Sequence, residues 1–375
     1  MRALIGAIVV LAFLTVALVA WGGLARRSSS PGAAPGAGGG SDRTKPAPAP
    51  GPPAPVPDKP APGPGKPAPV PKSYTTLDLG TLGGDSHAMG INSKGQVVGD
   101  CGQRKAFFWD PAGGMRDIGP DANEPYAAVR VNDSGLVIGQ RTRGYAIRAF
   151  VWDAKGGFRD LGTLGAPESE CYGVNSAGVV VGSLFHQSDS AFIYQGPGEM
   201  RKLTEVGQDR PATAINDEGT VAGYRNYAEA WIWNAKTGRK DIGLCRGSQA
   251  VPHDINRHNQ VVGVGYSGDR GYEPHVAWLW DAEGGMKALG TLGGAQSEAY
   301  SINDAGQVVG MAQVKGDKPH AFLYADGKMI DLNGLLPPGS EWELQAARDI
   351  NNRGQIVGWG LHEGVTRAFL LTPKP

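Results

Sequence analysis

Ala88-Met-Gly-Ile-Asn92-Ser-Lys-Gly95-Gln-Val-Val-Gly99 is the stretch from which the fold can be read. Apolar and β-branched residues alternate on both sides of an Asn-x-x-Gly segment, the pattern of two short strands joined by a turn. Glycine three positions after the asparagine supplies the positive φ that hairpin turns need, and an Asn side chain bonds readily to backbone nearby. The phrase returns at Asn132, Asn175, Asn216, Asn256, Asn303 and Asn351, at intervals of 40, 43, 41, 40, 47 and 48 residues. The fifth copy ends in Asn259 instead of glycine, and Asn is the residue next best suited to positive φ. Self-similarity at this period marks a repeat architecture in which no unit buries its apolar face alone.

Working outward, each hairpin is followed by a third apolar run: Ala106 to Trp109, Ala149 to Trp152, Ala191 to Tyr194, Ala230 to Trp233, Ala277 to Trp280, Ala321 to Tyr324 and Ala368 to Leu371. Aromatic and branched residues suit a packed, pleated surface. A fourth run mixes charged and apolar positions, as in Met115-Arg-Asp-Ile-Gly119, and reads as an edge with one wet face. Four strands per unit of about 43 residues is the requirement of a β-propeller blade. Six fourth strands follow Asn92, and none follows Leu371. The seventh is Tyr74-Thr-Thr-Leu-Asp-Leu-Gly80, so the expectation is an all-β, seven-bladed β-propeller over residues 74–375, with this amino-terminal strand closing the last blade.

Upstream lie two other kinds of sequence. Ala3 to Ala25 runs without a charge, long enough for a helix to cross a hydrocarbon core of ~30 Å. Residues 1–27 therefore read as a signal anchor or a signal peptide; Gly23-Leu24-Ala25 has the small-x-small form of a cleavage site. Residues 28–73 form a Pro/Ala/Gly-rich linker, in which proline blocks helix and ladder hydrogen bonding and favours an extended spacer. Arginines on both sides of the apolar run leave orientation weakly marked. A spacer of this kind suits a domain held away from a bilayer, so the expected location is extracytoplasmic, in the periplasm or at the cell surface, with membrane contact through the amino-terminal helix only.

The chain balances 36 basic against 36 acidic residues, without the basic excess of a nucleic-acid binder. Cys101, Cys171 and Cys245 are odd in number and widely spaced, which is consistent with one bridge or with three buried thiols. They make no Cys/His metal pattern, and no phosphate loop, EF-hand or nucleophile elbow is present, so no cofactor and no metal are expected.

These phrases resemble the HAF-repeat proteins, bacterial proteins described as probable extracellular repeat proteins. His320-Ala321-Phe322 matches the naming tripeptide, and Asp78 to Gly84 matches a second family phrase, Asp-Leu-Gly-Thr-Leu-Gly-Gly. The resemblance spans all seven units and implies an extracytoplasmic location; it brings no activity, cofactor or catalytic residue with it.

Chemistry is therefore sought at the innermost strands, those ending in the repeated asparagine. The first and fourth residues before it are always apolar or small and read as packing positions between blades. The third, fifth and sixth vary widely. Among them His87, Glu170, Tyr172, His253, Glu298, Tyr300 and Arg348 are the candidate ligand-binding residues, expected to converge on one channel mouth. The leading expectation is a tethered, monomeric binding or scaffold module whose partner is an envelope protein, a glycan or a small ligand. One alternative is a hydrolase or lyase acting on a polysaccharide or small ester through His87, His253 and acidic partners; the other is a purely structural spacer.

Overall fold

Around every Asn-x-x-Gly turn the two flanking runs pair as antiparallel strands, and the third and fourth runs add to them in order. The computed structural model describes residues 70–374 except 103–104, 122–123, 145, 186–189, 197–198, 208–210, 226–228, 248 and 267–274. Its strands, β1 to β28 in chain order, form seven four-stranded antiparallel sheets. The inner strands are β2 (Ser86–Ile91), β6 (Tyr126–Val131), β10 (Glu168–Val174), β14 (Ala212–Ile215), β18 (Gln249–Ile255), β22 (Gly293–Ile302) and β26 (Trp342–Ile350). Each contacts the inner strands of the neighbouring blades, and β26 closes onto β2, so the sheets form a ring.

The last blade is built from both ends of the chain. β1 (Ser73–Asp78) pairs with β28 (Val365–Lys374), from Ser73 opposite Lys374 to Asp78 opposite Phe369. Tyr74 is fully buried there against Phe369 and Leu371. The expected anchor or signal segment, and the linker up to residue 69, lie outside the described residues. Among the described residues no helix is long and apolar enough to cross a membrane.

The core lies between blades. The fourth position before each asparagine (Ala88, Ala128, Cys171, Ala212, Pro252, Ala299, Ala347) is buried throughout. All three cysteines are free and buried. Outer strands such as Gly114–Asp117 and Gly157–Asp160 keep an exposed end, as their mixed sequences require.

The asparagines do more than turn the chain. Each Oδ1 accepts from backbone N–H groups of its own turn, as Asn92 does from Lys94 at 3.0 Å and Gln96 at 2.9 Å. Each Nδ2 donates to the main-chain carbonyl of the next asparagine round the ring. Asn92 reaches Asn132 at 2.9 Å, and so on until Asn351 returns to Asn92 at 3.0 Å. The sequence reading of these residues as turn formers is thus incomplete: they also stitch all seven blades together.

The Thr-Leu-Gly-Gly phrases are loops leading into inner strands, with the Thr81 hydroxyl bonded within the loop to Gly84 O and Gly83 N. A buried serine follows each. Ser86, Ser169 and Ser297 donate to Gly80, Gly162 and Gly290, and accept from the N–H of Ala368, Ala149 and Ala277 in the preceding blade.

Candidate functional site

Every inner strand carries a β-bulge at the same place. At that place the register against the second strand skips Met89, Val129, Tyr172, Thr213, His253, Tyr300 and Arg348, and the strands of blades six and seven have one further shift each, earlier in the strand. A bulge sets two residues opposite one and re-aims the extra side chain. Here all seven skipped residues, the third before each asparagine, line one chamber of about 40 Å³ in the central channel, joined by Arg130, Val251 and Glu298.

Five of the seven candidate residues thus meet: Tyr172, His253, Glu298, Tyr300 and Arg348. The other two are turned aside. His87 Nδ1 lies 3.0 Å from Asp100 Oδ2, with its ring edge-on to Trp359 at 5.2 Å. Glu170 is buried next to the chamber and accepts from the Tyr172 hydroxyl at 2.6 Å and Gln140 Nε2 at 3.3 Å. Burial raises its pKa to about 7, against which the Tyr172 hydrogen bond works. His87 and His253 do not meet, and among the described residues no three His, Cys, Asp or Glu side chains group as a metal would require.

The polar wall is organised around Glu298. Its Oε2 accepts from the Tyr300 hydroxyl at 2.9 Å, and its Oε1 stands 3.8 Å from His253 Nε2. His253 Nδ1 lies 2.9 Å from the carbonyl of Ala299. A carbonyl only accepts, so Nδ1 carries the proton and Nε2 is left as a bare acceptor on the chamber side. Burial, with help from the charges of Arg348 and Arg130, lowers the His253 pKa against the pull of Glu298, which favours this neutral form. The Arg348 guanidinium sits 3.9 Å over the Tyr300 ring and 5.6 Å from Trp359. Tyr266 and His275 pack edge-on at 4.5 Å; burial raises the pKa of the first, with Glu298 adding to it, and lowers that of the second against the pull of Glu298.

One layer nearer the asparagine turns, a polar plug crosses the channel. Arg130 Nη1 bonds Asp349 Oδ1 at 2.8 Å, while Nη2 lies 3.9 Å from Asp254 Oδ1. Ser301 Oγ is 2.7 Å from Asp254 Oδ2 and 2.7 Å from Asp349 Oδ1. A hydroxyl has one proton to give, so the second contact is satisfied when one carboxyl is protonated. Burial raises the Asp254 pKa, Arg130 opposes it and Asp349 adds to it, which favours Asp254 for that proton. The same carboxylates accept the N–H groups of Ile302 and Ile91 at 3.0 and 2.9 Å in the next blade. Beyond the plug a second cavity of about 210 Å³ opens among the asparagine turns, edged by Asp133, Asp217, Arg257 and Asp304.

Arg130, Asp254, Ser301 and Asp349 all stand two residues before an asparagine, a column that sequence reasoning passed over. Strict alternation would hide it between blades with the fourth position; the bulge turns it inward. Charged residues recurring in one column between two buried ones were the available signal.

Residues 204–358 match the model of a family described as a protein of unknown function, DUF3466. No curated protein matches the chain. Among solved structures, a streptogramin B lyase is similar at a TM-score of 0.55 and 13% identity, covering 80% of this chain and 98% of that one. Virginiamycin B lyase from Staphylococcus aureus matches at 0.53 and 12% identity over 80% and 99% of the two chains. An oligogalacturonate lyase in complex with manganese matches at 0.53 and 12% identity over 82% and 98%. At such identities the likeness is one of fold.

Proposed function

We propose that the chain is an extracytoplasmic, membrane-tethered binding module of the HAF-repeat kind, which holds a small ligand, or the projecting end of a larger one, in the channel chamber. The observation that carries this reading is the sevenfold bulge. One backbone irregularity, repeated in each blade, gathers a widely varying column of the repeat into a single pocket, and that column is where Tyr172, His253, Tyr300 and Arg348 stand. Pockets that join an apolar lining to a few convergent polar groups are the usual form of ligand sites. Immobilised protein exposed to an envelope extract should retain a ligand that Tyr172→Ala, Tyr300→Ala and Arg348→Ala each release about tenfold or more readily. Equal retention by all three variants would remove the chamber as the site.

One observation favours a second reading, a lyase or hydrolase of a polysaccharide or small ester. His253 is neutral with Nε2 facing the chamber beside Glu298, the arrangement of a group able to take a proton. That reading requires turnover of the retained ligand, lost in His253→Gln beyond what any weaker retention accounts for.

A further inference from the structure

We infer that the chamber receives the hydroxyl-bearing edge of a neutral sugar, entering end-on as the terminal residue of a glycan or glycoside. This rests on the chamber being the binding site, and it follows from charge, polarity, hydrogen-bond complement and size.

Charge comes first. Arg130 is answered by Asp349, beside which Asp254 carries the shared proton, and Arg348 stands over Tyr300 with Glu298 nearby. Each cation of the chamber already has its acid. An anionic ligand would add an unanswered negative charge beside Glu298, and a cationic one would face two guanidiniums. Burying a charge without a partner is unfavourable, so a neutral ligand is favoured.

The lining also has two characters. Met89, Val129, Val251 and the methyl of Thr213 are apolar, whereas Tyr172, the guanidiniums of Arg130 and Arg348, and the imidazole, carboxylate and phenol of His253, Glu298 and Tyr300 are polar. A pyranose has the same two characters, an apolar C–H face and a polar rim. His253 Nε2 and Glu298 Oε1 are both acceptors, and at 3.8 Å neither satisfies the other. Adjacent hydroxyls on one ring supply two donors side by side, and their oxygens remain free to accept from a guanidinium. Size sets the mode of entry. About 40 Å³ holds a few non-hydrogen atoms, so an edge of the sugar enters and the remainder stays outside.

The test is titration calorimetry on the detergent-solubilised full chain with the methyl glycosides of glucose, galactose and mannose, and with glucuronate and serine as anionic and zwitterionic competitors. At least one neutral glycoside should bind about tenfold or more tightly than either competitor, and both Glu298→Gln and His253→Gln should weaken it by about tenfold or more. Unchanged thermal unfolding midpoints would show that these near-isosteric variants remain folded; Tyr300→Phe, which withdraws only a hydroxyl from Glu298, is the second variant if they do not. Tighter binding of glucuronate or serine, lost in Arg348→Met, would overturn the sugar and leave the chamber as the binding site. A glycoside that binds all four variants as well as the parent would overturn both. Failure of every probe would overturn the sugar alone, since retention from the envelope extract tests the chamber independently.

Discussion

Glu170 keeps a proton that an exposed glutamate gives up. Its carboxyl is buried beside the chamber, and its pKa rises from 4.5 to about 7. A raised folded pKa means that the unfolded chain releases this proton first as pH rises. The stability from protonated Glu170 is therefore complete below about 4.5 and is lost as pH climbs through about 7. The loss relative to Glu170→Gln should approach about 3 kcal/mol. Urea midpoints of the two proteins between pH 5 and 8 should converge at the acid end and diverge at the alkaline end; parallel curves would refute the shift. At this scale the site was partly legible. The offset from the asparagine marked Tyr172, His253, Tyr300 and Arg348 because that offset is the same in every blade. It marked His87 and Glu170 equally well, but Asp100 and Gln140 draw those side chains aside. Such partners stand in another strand or another blade, and local pattern does not show them.

Among the elements, the second strand explains the last glycine of the repeated phrase. Gly99, Gly139, Gly182, Gly223, Gly263 and Gly310 each lie under the aromatic residue of the third strand and against a carbonyl of the inner strand. A Cβ on Gly182 would meet the Phe192 ring at 2.6 Å and overlap the carbonyl of Glu170. The repeated aromatic and the repeated glycine are therefore one feature, a ring packed on bare backbone. Gly182→Ala should cost about 1–3 kcal/mol, as overpacking does, read as a lower denaturant midpoint. An alanine variant as stable as the parent would sink this account. The strands were legible because alternation and β-branching survive in all seven copies. The bulges were not, because a bulge shifts side-chain direction without requiring any residue type; Arg130 and Asp254 look like buried-side positions until the backbone is seen.

For the whole molecule, the decisive contact is between the two ends of the described chain. β1 supplies the outer strand of the seventh blade and buries Tyr74 in its core. Deleting Tyr74 to Gly80 leaves that blade with three strands and should lower the midpoint of thermal unfolding by roughly 10 °C or more. An unchanged midpoint would mean that closure adds no stability. This arrangement was legible by counting, since seven third strands and six fourth strands after Asn92 leave one place to fill. The asparagine circuit was not, because a local turn and an inter-blade bond call for the same residue.

That circuit has a sense of rotation. Every side-chain amide hands its hydrogen to the blade that follows, and none points backward. Reversing one amide would set its NH2 group against the N–H groups of its own turn and leave the next blade's main-chain carbonyl bare, so each orientation is fixed by backbone atoms of two blades at once. A shift of any one blade therefore disturbs two of these bonds, the one its asparagine donates and the one its carbonyl receives.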